Sequence, residues 1–221
     1  MKVMAFNGSP RKKNWNTVTL LQKALQGAQS TGAEIELVQL YDLNFGGCLS
    51  CFSCKKLDRK EDGVCALQDD LTAVLLRVKQ ADALIIGTPV YYSAESSKTR
   101  ALLERLCYPY LKYAKDGRSL FPRKIKTGLI YTMNVSEEIA RQRNFFHTFE
   151  TTRGILARHF GTCELFLATD TRQYDDYDQF EAEIFDKEAK LKRHAEVFPE
   201  DSQRAFALGV RLATVINPES N

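Results

Sequence analysis

The sequence predicts a doubly wound α/β protein, with five parallel strands in the order 2-1-3-4-5 and helices on both faces of the sheet. Three observations carry that expectation. Short apolar, β-rich runs alternate along the chain with amphipathic helical stretches, the signature of strand–helix–strand units. One run, Ala83-Leu84-Ile85-Ile86-Gly87, is continuously apolar, as expected of a central parallel strand covered on both faces. The 221 residues, 44% hydrophobic and 27% charged, suffice for one generous core and do not resemble a disordered chain. One domain is therefore expected across residues 1–221, with a cysteine-rich insertion at 46–66 and a charged extra segment at 170–200.

Each element has its own warrant. Residues 3–6 read as the first strand and 34–40 as the second, where Ile35, Leu37 and Val38 lie close together. The third strand is the run at 83–87, and residues 127–133 and 164–168 supply the fourth and fifth. Between them, Val18, Leu21, Leu25 and Ala28 keep a helical period, as do Leu71, Val74, Leu75 and Val78. Asp69 and Asp70 stand at the expected start of the second helix, where negative charge complements the helix dipole. Leu102, Leu103 and Leu106 belong to a helix over 96–113, a fourth is predicted over 136–159, and a last over 201–214. The 170–200 segment is surplus to this plan; its charge suits a solvated arm or extra helix.

Charge and hydropathy narrow the function. A net charge of +3 gives no reason to expect a nucleic-acid or membrane partner. The start reaches a polar turn too soon for a secretory leader, and no apolar run nears the roughly 18 residues of a membrane span. A cytoplasmic location is the expectation. There, structural disulfides are rare, and a dense cysteine cluster reads as metal or redox chemistry.

Three loops at the carboxyl edge of such a sheet carry the candidate site. The first, Asn7-Gly8-Ser9-Pro10-Arg11 through Asn16-Thr17, suits a phosphate. Gly8 permits close backbone approach, Ser9 and Thr17 offer hydroxyls, and Arg11 offers a planar charged fork. The first turn of the following helix adds free amides and a positive dipole end. No acidic residue precedes Glu34, whereas Lys2, Arg11, Lys12, Lys13 and Lys23 all do. Neither a Gly-x-Gly-x-x-Gly fingerprint nor a Walker loop is present. The second loop, Thr88-Pro89-Val90-Tyr91-Tyr92-Ser93-Ala94, and the third, Tyr131-Thr132-Met133-Asn134-Val135, combine aromatic bulk with small polar groups. That combination suits a planar heteroaromatic ring, which needs flat apolar contact and donors at its polar edge.

The remaining motif is Gly47-Cys48-x2-Cys51-x2-Cys54 followed by Gly63-x-Cys65. With Asn7-Gly8-Ser9-Pro10-Arg11, Asn16-Thr17, Thr88-Pro89-Val90-Tyr91-Tyr92, Asp69-Asp70 and Leu102-Leu103-Glu104-Arg105-Leu106, it resembles the flavodoxin-like NAD(P)H-dependent FMN reductase family over residues 1–135. The resemblance is to that family's compact-cysteine branch, the iron–sulfur flavoproteins. It implies an FMN whose phosphate is held by Ser9, Arg11, Asn16 and Thr17. Pro89, Val90, Tyr91, Tyr92 and Ser93 would contact its ribityl chain and ring, with Met133 and Asn134 on the other side. It further implies hydride uptake at the flavin from NAD(P)H, an unidentified small-molecule or redox-protein acceptor, and a homodimer or homotetramer. No protein residue is expected to act as acid or base, because the flavin carries the redox step. Ser93 and Ser97 stand where many family members have glycine.

The cysteines leave three readings open. Thiolates at two-residue spacing with a more distant fourth suit a [4Fe–4S] cluster held by Cys48, Cys51, Cys54 and Cys65. Such a protein would relay electrons between a ferredoxin and FMN. Free thiols or a reversible disulfide are the second reading. Zinc is the third, in a non-catalytic interaction module. Lys55, Lys56, Arg59 and Lys60 would favour thiolates. Cys107 and Cys163 read as core residues.

Overall fold

The structure is a computed structural model that describes residues 1–59 and 61–214; Lys60, one of the four basic residues named above, lies outside the described residues. Five parallel strands, β1 (Lys2–Asn7), β2 (Glu34–Gln39), β3 (Ala83–Tyr91), β5 (Ile125–Thr132) and β6 (Gly161–Ala168), form a sheet in the order β2-β1-β3-β5-β6. A two-residue strand, β4 (Ala94–Glu95), folds back antiparallel on the end of β3. Setting β4 aside, the order is the doubly wound 2-1-3-4-5 that the sequence predicts.

Alternation along the strands sorts their side chains to two cores. Val3, Ala5, Ala83 and Ile85 face α1 (Asn16–Ser30) and α7 (Phe198–Leu212), whereas Met4, Phe6, Leu84 and Ile86 face α2 (Asp70–Val78), α3 (Ser97–Cys107) and α5 (Phe145–Phe160). The α1–α7 contact is unusually close. A Cβ on Gly27 would strike the Phe206 carbonyl, and one on Gly209 would strike the Ala24 carbonyl, so each helix lays glycine against the other's backbone.

Local chemistry sets the helix limits. Asp69 caps α2, accepting the Leu71 amide at 3.1 Å, while Thr72 Oγ1 accepts the Asp69 amide at 3.0 Å. The helix expected over 96–113 ends at Cys107 and passes into a single tight turn at Tyr108–Tyr110, where Pro109 lacks the amide that would continue it. The helix expected over 136–159 is two: α4 (Glu137–Gln142) and α5, separated at Asn144, whose φ of 59° no helix accommodates. Asparagine visits that left-handed conformation at little cost. The 170–200 segment contains α6 (Lys187–Glu196) and a turn at Tyr177–Gln179. No helix among the described residues is long and apolar enough to cross a membrane.

Candidate functional site

The register β1–β3–β5 brings the three predicted loops to one end of the sheet. The loop after β1 is shaped by its own side chains. Buried Asn7 accepts the Ser9 amide through Oδ1 at 3.1 Å, and Ser9 Oγ accepts the Arg11 amide at 3.1 Å. Gly8 donates to the Gly87 carbonyl at 2.8 Å, and a Cβ there would collide with the Thr99 hydroxyl. Ser96 Oγ donates to the Gly8 carbonyl at 2.6 Å, tying this loop to the start of α3. The loop delivers the chain into α1 with Trp15 at the N-cap. No side chain caps the helix, and no acidic residue stands in its first turn. Its first amides are therefore left for a ligand.

These groups line a cleft of about 190 Å³. Ser9, Arg11, Asn16, Thr17, Pro89, Val90, Tyr91, Met133 and Asn134 all border it, as the sequence predicts. Tyr92 and Ser93 do not. They border an adjoining hollow of about 280 Å³ that shares Val90, Met133 and Asn134 with the cleft. Both lie in the tight β3–β4 turn with φ of 48° and 68°, where glycine or asparagine is normally found. The turn is pinned from below by buried Glu95. Its carboxylate accepts from the Tyr131 hydroxyl, accepts from Thr152 Oγ1 at 2.6 Å, and lies 3.1 Å from Arg100 Nη2. Burial and the adjacent carboxylate push the Tyr131 phenol pKa far up, so it stays a donor.

Trp15 and Thr132, inside the predicted loops but given no role of their own, also line the cleft, and sequence reasoning missed Thr171, Arg172 and Gln173 altogether. Thr132 Oγ1 is 2.7 Å from Thr17 Oγ1. Thr171, Arg172 and Gln173 enter through the stretch after β6, whose charge pattern suited a solvated arm or extra helix. Its inner part forms a wall instead. Arg11 Nη1 donates to the Gln173 carbonyl at 2.7 Å, Asn16 Nδ2 to the Arg172 carbonyl at 2.8 Å, and Thr171 Oγ1 to the Met133 carbonyl at 3.1 Å. Asn134 bonds the Gln173 side chain, and Lys190 of α6 bonds both the Asn134 carbonyl and Asp170. The available signal was position: Arg172 and Gln173 follow a strand at the carboxyl edge, as the other loops do.

Two buried polar atoms in the cleft walls have no hydrogen-bond partner, Asn16 Oδ1 and Arg172 Nε. A ligand in the cleft would supply both with the missing partner. Together with the uncapped helix and an all-cationic complement of charged side chains, they fit a phosphate with a polar chain and a flat ring behind it.

The cysteine loop lies elsewhere. Cys48, Cys51, Cys54 and Cys65 line one recess of about 20 Å³, which shares no lining residue with the cleft. Ser50 and Phe52, the residues flanking Cys51, have φ of 52° and 55° and turn the chain tightly between the thiols. Buried Arg105 of α3 closes the loop, donating to the Gly46 carbonyl at 3.3 Å and to Asp69 Oδ1 at 3.0 Å. That guanidinium, outweighing the cost of burial, holds the Asp69 carboxyl below its ordinary range. The Lys55 ammonium donates to the Tyr108 and Leu111 carbonyls, both at 2.5 Å. All six cysteines are free thiols. Among the described residues no three Cys, His, Asp or Glu side chains stand close enough to hold a metal ion. The donor set suits iron–sulfur chemistry, but the recess has room for about one water.

His159 Nδ1 lies 3.4 Å from Ser119 Oγ. That hydroxyl already accepts the Phe121 amide at 3.1 Å, so the pair is structural.

Fold and cleft together define an α/β protein built to hold an anionic, ring-bearing cofactor at its switch point. A family profile described as NADPH-dependent FMN reductase matches residues 1–155, and the chain belongs to that family. An iron–sulfur flavoprotein of Methanocaldococcus jannaschii is 36% identical over 105 residues, 48% of this chain and 51% of its own length. One from Archaeoglobus fulgidus is 35% identical over 105 residues, 48% of each chain. These matches thus span about half the length of the curated relatives. Among solved structures, an NAD(P)H:quinone oxidoreductase from Methanothermobacter marburgensis aligns with a TM-score of 0.70 at 18% identity, over 96% of this chain and 98% of that one. An FMN-dependent NADH-azoreductase from Bacillus anthracis aligns at 0.69 and 12%, over 96% and 99%. At such identities the likeness establishes the fold, which is flavodoxin-like.

Proposed function

We propose that this chain is an FMN-binding oxidoreductase that accepts hydride from NAD(P)H at the flavin and passes electrons to a small-molecule or redox-protein acceptor. The observation that carries the reading is the convergence of three switch-point loops and an uncapped helix N-terminus on one cleft. In it Ser9, Arg11, Asn16 and Thr17 would hold the phosphate. Pro89, Val90 and Tyr91 would line the ribityl chain, Tyr92 and Ser93 the ring edge, and Met133 and Asn134 its other side. FMN would supply the redox chemistry when bound; the chain's residues would bind and orient it for reaction with a nicotinamide. Family membership supports this, as does the azoreductase, a fold neighbour solved with FMN. A cytoplasmic homodimer or homotetramer is part of the proposal.

The test is reconstitution with FMN, followed by anaerobic reduction with NADH and, separately, NADPH. Bleaching of the flavin band by either is expected. Failure to bind FMN under any condition sinks the reading.

The four thiols on one recess, and relatives named iron–sulfur flavoproteins, favour a second layer. Cys48, Cys51, Cys54 and Cys65 would hold a [4Fe–4S] cluster, which would relay electrons between a ferredoxin and FMN. Iron and acid-labile sulfide assays on anaerobically purified protein test this. Zinc without flavin would instead support an interaction module.

A further inference from the structure

We infer that the segment after β6 completes the phosphate site, with Arg172 as its second cation. This rests on reading the cleft as an FMN site.

Charge matching comes first. A phosphate monoester carries about −1.5 to −2 at neutral pH. The side chains lining the cleft include no carboxylate, and their only charges are the guanidinium groups of Arg11 and Arg172. One arginine leaves a dianion half neutralised; Arg172, whose charge is shared with the exposed Asp175, adds a second cation at the cleft.

Geometry then places Arg172 at the phosphate end. Its carbonyl accepts from Asn16 Nδ2 at 2.8 Å, which sets it beside the uncapped first turn of α1. Its guanidinium lies 5.6 Å from the Trp15 ring centre, and that of Arg11 lies 3.7 Å from the same ring. The two cations thus flank one indole at the helix start.

The guanidinium is also only half used. Nη1 pairs with Asp175 at 2.8 Å, and that carboxylate is largely exposed. Nε is buried with no partner. A charged donor left unpaired in the interior is costly, and a phosphate oxygen would relieve it.

The wall is also held in place before any ligand arrives. Arg11, Asn16, Met133 and Asn134 each bond residues 171–173, so the phosphate side and the ring side of the cleft are strapped to the same stretch. Such a strap slows flavin exchange and suits a resident cofactor rather than a flavin that comes and goes as substrate.

The experiment compares FMN with riboflavin, which lacks the phosphate, in wild type, Arg172→Gln and Arg172→Lys. Losing a charge-assisted bond to phosphate should weaken FMN about 10- to 100-fold in Arg172→Gln and speed its release. Riboflavin affinity should stay within about twofold, because none of its groups meets the lost cation. Lysine should restore part of the FMN affinity. Equal FMN affinity in wild type and Arg172→Gln overturns the assignment and leaves the FMN reading standing. So does a parallel loss of FMN and riboflavin, which would mean a structural role; unchanged thermal unfolding checks the fold. A wild-type protein that binds neither flavin overturns the FMN reading itself, and this assignment with it.

Discussion

Cys51 is a thiol whose surroundings favour the thiolate. Hydrogen bonds from the Ser53 backbone amide and hydroxyl lower its pKa, and it is exposed. Burial pushes Cys54 up, Cys107 to about 12 and Cys163 to about 11. In metal-free protein, iodoacetamide should therefore label Cys51 well before Cys107 or Cys163, as read by peptide mass spectrometry. A second single-residue prediction concerns acid stability. Burial, helped by nearby Arg158 and Lys55, lowers the His159 pKa to about 4 from an ordinary 6.5. Between those values the unfolded chain takes up a proton that the folded one refuses. Stability present above pH 6.5 is then lost as pH falls toward 4, by about 3 kcal/mol in all. Denaturant midpoints at stepped pH should show this slope, and His159→Gln should flatten it.

At the scale of elements, strain and close packing stand out. The β3–β4 turn holds Tyr92 and Ser93 at positive φ, a conformation costing about 1 kcal/mol or more for each residue with a side chain. Ser93→Gly should raise stability by about 1 kcal/mol in urea melts. The strain survives because Glu95, one residue past the turn's closing pair, is fixed from three sides by Tyr131, Thr152 and Arg100. The turn is thereby held rigid at the edge of the proposed ring site. The α1–α7 contact works differently. Glycines at 27 and 209 let two helices meet backbone to backbone, which locks the element following the 170–200 segment onto the helix whose N-terminus faces the cleft.

At the scale of the whole molecule, the cofactor and the fold should reinforce each other. With free FMN at a hundredfold over its Kd, binding adds about 2.7 kcal/mol. For a chain of 221 residues that raises Tm by about 5–11 °C, measurable by differential scanning calorimetry. The sheet and its switch-point loops were legible in the sequence because both signals are local: apolar runs such as 83–87 admit no other placement, and loops follow directly from strands. The helix break at Asn144 was not read, although the polar run Arg141-Gln142-Arg143-Asn144 interrupts the apolar period there. Pro109 was legible but unheeded. Arg172 and Gln173 were hidden for a different reason. A charged stretch looks the same whether it faces water or folds over a cleft, and the partner of Arg172 is Asn16, 156 residues away. Only long-range packing decides between the two.

Trp15 is the chain's one tryptophan, and it stands in the wall of the cleft between an arginine from each side of the sequence. The molecule's entire indole emission therefore originates in its candidate site. Because that emission overlaps flavin absorption, an arriving flavin would quench it. The protein carries its own optical probe, and occupancy of the cleft can be followed in unlabelled material.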